Sequence, residues 1–67
     1  MTMSKIGAKI KRLREGRGWT QGELAKKAGL HIVSIGQIEA GMRQNPALLT
    51  RKKLAKALGV DITELLD

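Results

Sequence analysis

The chain contains no cysteine, no phenylalanine and no tyrosine, and it has a single tryptophan, a single histidine and a single proline. Without cysteine there is no disulfide staple and no thiolate metal site. His31 cannot build a metal site unaided, and no paired carboxylates suggest a catalytic pocket, so no catalytic residue, cofactor, metal or small-molecule substrate is expected. One tryptophan provides no platform for stacking the bases of a single strand, and the lack of aromatics disfavours the sheet-based RNA modules. No apolar run approaches membrane-spanning length. The opening MTMSKIGAKIKR lacks the apolar centre of a secretion signal, which makes the cytoplasm the expected location.

What remains is small and basic. Sixty-seven residues carry a net charge of +7 and a pI near 10.4. The length suits one compact domain, 1–67, with little core to spare. The charge is uneven: residues 1–17 carry about +5, 51–56 carry +4, and 61–67 carry −3. Such a surface attracts polyanions, either nucleic acid or an anionic membrane. Membrane binding is the weaker option, because the apolar stripe of the first helix is needed for the core.

Apolar residues recur at helical spacing throughout, and no segment alternates with period two, so the reading is all-α with five helices. The first runs from about Ser4, a possible cap, to Arg17, with Ile6, Ile10 and Leu13 on one stripe. Trp19 is placed at the core edge. The second spans about 21–28. Thr20 and Glu23 form a capping box at its start, and Gly29 stops it in the left-handed conformation. The third spans about 32–40 and stops at Gly41. Pro46 suits the first position of a fourth helix capped by Asn45 and ending at Leu58. A short fifth helix, Ile62–Leu66, closes the core with Val60, Ile62, Leu65 and Leu66.

The third helix has an unusual outer face. Ile35, Ile38 and Glu39 share one side, and Val33 and Gln37 fall opposite, with Ile32 between. An outer face of small apolar and amide groups, with Gly36 in its middle, suits insertion into a groove better than contact with bulk water.

Two short helices joined by a glycine turn follow the helix-turn-helix plan. The ordered set Ile10, Leu13, Arg14, Trp19-Thr20-Gln21, Leu24-Ala25, Gly29, Ile35, Ile38-Glu39, Gly41, Pro46, Leu54-Ala55, Leu58-Gly59-Val60 and Leu65 resembles the Xre family of helix-turn-helix DNA-binding domains, which includes lambdoid phage repressors and Cro proteins. The resemblance covers nearly the whole chain. It implies a five-helix lambda-repressor-like fold, with the third helix docked in the major groove of double-stranded DNA and the second crossing the backbone. Ile32, Val33, Gly36 and Gln37 then read bases; a glutamine amide can pair with the adenine edge. Thr20, Gln21, Ser34, Arg43, Gln44 and Asn45 are the candidates for phosphate contact. His31 stands where the family usually has a serine or threonine cap, and phosphate contact is an option for it. Arg14 and Glu39 correspond to an ion pair tying the first helix to the third, a structural role.

The function implied is a sequence-specific transcriptional regulator, a repressor by preference, acting as a homodimer on a palindromic operator. Its setting would be the nucleoid of a prokaryote or phage-infected cell. The alternatives are an antitoxin-type protein-binding module and a DNA-binding domain excised from a longer repressor. One residue departs from the pattern. Arg51 falls on the inward stripe of the fourth helix among Leu48, Leu54, Ala55 and Leu58. Either its stem covers the core while the head reaches solvent, or it pairs with Glu64 or Asp67. Leu49 and Leu66 are weak candidates for a dimer surface.

Overall fold

The computed structural model describes residues 5–43 and 45–66. Ser4, Gln44 and Asp67 therefore lie outside the described residues, and with them the expected first cap, one phosphate candidate and one candidate partner of Arg51. Helix α1 spans Lys5–Gly16, α2 Gln21–Ala28, α3 Ile32–Glu39 and α4 Leu48–Leu58, followed by a 3₁₀ turn at Ile62–Leu65. None of these helices is long and apolar enough to cross a membrane.

The core is aliphatic. Ile6 and Ile10 of α1 meet Leu24, Ala25 and Ala28 of α2, Ile35 and Ile38 of α3, Leu54, Ala55 and Leu58 of α4, and Leu65. Each large side chain removed from water in this way contributes about 1.5–3 kcal/mol. Leu13, Trp19, Val60 and Ile62 are half-buried against this cluster.

Local signals set the ends of α2. The Thr20 hydroxyl accepts from the Glu23 amide at 3.1 Å, and the Glu23 carboxylate accepts from the Thr20 amide at 2.8 Å. Gly29 then adopts φ 68°, and the Leu30 amide turns back to the Ala25 carbonyl at 2.9 Å. Only a residue without a Cβ takes that conformation freely. The other α-helices end on left-handed glycines in the same manner, at Gly18, Gly41 and Gly59.

Three expectations are corrected. The fifth helix is a single 3₁₀ turn rather than an α-helix. Asp61 caps it by accepting from the Thr63 amide at 3.0 Å, and the Glu64 amide closes onto the Asp61 carbonyl at 2.9 Å, an i to i+3 bond. So short a run stays in the tighter form. Secondly, α4 begins at Leu48, with Ala47 as a cap that offers no side-chain bond. Pro46 is buried instead of opening the helix, and the Asn45 side chain is already engaged by Arg51. Thirdly, Leu48 and Leu66 do not join the core: they are 56% and 47% exposed.

Gly7 carries a contact that no pattern in the chain announced. It packs so closely on the end of α3 that an added Cβ would overlap the Ile38 carbonyl oxygen.

Candidate nucleic-acid interface

The capping box and the Gly29 turn hold α2 and α3 against each other, with Ile32 packed over Gly22. This leaves one side of α3 uncovered. Val33 is 56% exposed and Ile32 48%, large fractions for apolar residues on a helix with an otherwise buried inner face. Ser34, Gly36 and Gln37 are half-buried along the same helix. The Gln37 side chain makes no hydrogen bond to any described residue, so its amide keeps both donor and acceptor capacity. A Cβ on Gly36 would meet only Gln21 Oε1, at an ordinary 3.7 Å.

Behind that face lies an ion-pair network. Arg14 Nε donates to Glu39 Oε2 at 2.7 Å and Nη2 donates to Oε1 at 2.9 Å, while Nη1 donates to the Trp19 carbonyl at 2.7 Å. Arg14 is 8% exposed and the Glu39 side chain 3%. The bond from Glu39 holds the Arg14 guanidinium above its already high ordinary pKa, against the opposing effect of burial. A bidentate pair fixes the relative orientation of its two helices as well as their charge balance.

Gln21 joins this network: its Nε2 donates to Glu39 Oε1 at 3.1 Å. One amide hydrogen of the phosphate candidate is thus spent within the protein, and one remains. Thr20 is exposed, its hydroxyl accepting from Glu23 and still able to donate outward. His31 is the N-cap of α3, with Nδ1 accepting from the Val33 amide at a long 3.4 Å.

Lys11 was not singled out by its sequence position, because the basic residues of α1 spread widely around that helix. It lines a hollow of about 320 Å³ together with Arg14, Gln21, Gly36, Glu39 and Ala40. Arg14 and Glu39 neutralise each other there, leaving Lys11 as the net charge beside α3.

On the far side of α3 the chain passes through an exposed Arg43 and an exposed Asn45. Arg51 Nη2 donates to Asn45 Oδ1 at 2.7 Å, and Nη1 donates to the Leu66 carbonyl at 3.1 Å. The guanidinium does not pair with Glu64, which accepts from Lys9 at 3.5 Å, and the other expected partner, Asp67, lies outside the described residues. The guanidinium bonds two neutral oxygens, and its Nε is buried without a partner. The position of Arg51 on an apolar stripe marked it as anomalous, but the sequence carries no signal for its two acceptors. With Ala47 as an unsupported cap, the first-turn amides of α4 also have no side-chain partner next to Asn45. Such amides favour anions. No group of three or more His, Cys, Asp or Glu that could hold a metal ion occurs among the described residues.

Comparison with known proteins gives a consistent picture. Residues 10–65 match the sequence model of a family described as Helix-turn-helix. The chain is 36% identical over 62 residues to the HTH-type transcriptional regulator SinR of Bacillus subtilis (strain 168), covering 92% of this chain and 56% of that protein. It is 38% identical over 60 residues to the immunity repressor protein of Bacillus phage phi105, covering 90% of this chain and 41% of the repressor. The chain thus spans little more than half the length of the first of these relatives and less than half of the second. Among solved structures, SinR in complex with DNA superposes with a TM-score of 0.87 at 35% identity, over 92% of this chain and 98% of that one.

Proposed function

Since the chain belongs to the helix-turn-helix family, we propose that it is a sequence-specific repressor that reads the major groove of duplex DNA with α3. The observation that carries this reading is the exposed row Ile32, Val33 and the unengaged amide of Gln37, backed by a buried ion pair that fixes how α3 is presented. Gln37 recognises an adenine edge, while Val33 and Ile32 meet thymine methyl groups. Gly36 lets the backbone approach. Thr20, Gln21, Ser34, Arg43, Gln44, Asn45 and the added Lys11 contact phosphate and set the register. Similarity to a transcriptional regulator and an immunity repressor, and to one structure that contains DNA, supports the reading.

A lone unit reads few base pairs, so the protein acts as a homodimer on a palindrome whose half-sites lie about 34–36 Å apart. Leu48, Leu49 and Leu66, all exposed, are its candidate contact, and the work takes place in the cytoplasm where the DNA is. The same leucines favour a second reading, a protein-binding module of the antitoxin kind.

Selection from random duplexes at about 0.15 M salt, where nonspecific phosphate contacts weaken, separates the two. Enrichment of a palindrome, with Gln37→Ala losing about 1–3 kcal/mol of discrimination at one base pair, supports the repressor. No enrichment, with binding that vanishes as salt rises, overturns it.

A further inference from the structure

A second basic feature lies away from α3. The C-terminal halves of α2 and α4 enclose an open cleft of about 740 Å³, lined by Trp19, Lys26, Lys27, Lys53, Lys56 and Ala57 among others. That size falls within the range of ligand-binding clefts. The groups assigned to DNA occupy the opposite ends of these elements, Gln21 at the start of α2 and Asn45 before α4.

All four lysines are exposed, and none forms an ion pair among the described residues. Lys26 and Lys27 in the last turn of α2 and Lys56 in that of α4 suit the negative ends of two helix dipoles. Lys53 lies outside the last turn, and the dipoles do not account for all four ammonium groups lining one hollow, where they repel each other and focus a positive field. An anion in the cleft relieves that repulsion.

The lining also indicates which anion. Lys27 Nζ sits 4.9 Å from the centre of the Trp19 ring, and the Arg17 guanidinium carbon sits 5.8 Å from it. A ring already covered by cations is a poor platform for a nucleotide base. Nor does any arginine line the cleft to grip a phosphate in bidentate fashion. An extended chain of carboxylates complements in charge the lysines of α2 on one wall and those of α4 on the other. The small Ala57 leaves room for its backbone, and the edge of Trp19 offers an apolar contact. We propose that this cleft binds an acidic peptide segment of a partner protein, independently of whether α3 reads DNA.

The single tryptophan makes the test direct, because its emission reports on the cleft. The full chain is titrated with a short peptide of alternating Glu and Leu, alone and with duplex DNA present in excess. The proposal expects a saturable change in emission in both conditions, weakened by salt. It also expects affinity to fall about tenfold or more in Lys53→Glu/Lys56→Glu, with the thermal midpoint retained; Lys53→Ala/Lys56→Ala serves if the charge reversal unfolds the chain. Three results overturn it: no saturable change, an equal response in the variants, or the same response at lower concentration from inorganic phosphate or from duplex DNA alone.

Discussion

Gly7 of α1 lies directly against the Ile38 carbonyl of α3, with no room between them for a Cβ. The contact is backbone on backbone, so a flexible side chain cannot move aside to absorb an intrusion. Gly7→Ala forces α1 away from the end of the DNA-facing helix and costs about 1–3 kcal/mol. A fall in melting temperature of roughly 4–8 °C per kcal/mol is expected for a chain of this size. A variant that melts with the parent would show that the two helices separate freely.

Glu39→Ala leaves the buried Arg14 guanidinium with the Trp19 carbonyl and, at 3.8 Å, the exposed Glu15 carboxylate as its remaining partners. Loss of one partner from a buried pair costs about 3–5 kcal/mol, a large share of the 5–15 kcal/mol typical of a whole domain. Urea unfolding measures this as a lower midpoint with an unchanged slope. A loss well below 1 kcal/mol would mean that water already screens the pair.

Gly36→Ala separates folding from recognition. The added methyl meets only Gln21 Oε1 at 3.7 Å, and the helix gains about 1 kcal/mol from replacing a mid-helix glycine. The variant therefore melts higher while its affinity for the selected operator falls. Higher stability with unchanged affinity would remove Gly36 from the interface.

Arg51→Leu removes the bonds to Asn45 and Leu66 but also the buried, unpartnered Nε. An unsatisfied buried donor costs about 1–3 kcal/mol, similar in size to the bonds that are lost. Stability therefore changes little, whereas Asn45 is released from its tether and DNA affinity drops. Equal affinity for the variant and the parent across a salt series would exclude Asn45 as a phosphate contact.

The Asp61 carboxylate accepts from the Thr63 amide and hydroxyl, both at 3.0 Å, which holds it below its ordinary pKa of 3.8. A depressed value favours the folded state above the unfolded pKa, and the contribution is lost as pH falls through the lower folded value. Melting temperature is expected to decline below about pH 4, and Asp61→Asn to flatten part of that decline. An identical acid limb in the variant would assign the decline to other carboxylates.

These residues also mark what the chain makes legible. The Thr20–Glu23 box and the Gly29 stop depend on neighbours within a few positions, and local chemistry decides them. The start of α4 does not. Asn45 is a good cap by type, but Arg51, six residues on, takes its acceptor, and the helix starts later. Leu48 and Leu66 have the composition of core residues, and only the packing directions of α4 and the 3₁₀ turn leave them outside. The pairing of Arg14 with Glu39 spans 25 positions; it was expected from family resemblance, since no spacing rule reaches that far. Gly7 and Lys11 gain their meaning only from the approach of α1 to α3.

Every α-helix here closes on a left-handed glycine through bonds made to its own last turn. Each segment thus carries its own stop, set before any distant part of the chain arrives. Topologies assembled from such near-neighbour contacts fold in about microseconds to milliseconds. The helix ends are thus fixed by contacts of the fastest-forming kind, and the slower step left to folding is the docking of α1 on α3 and of α4 on the 3₁₀ turn.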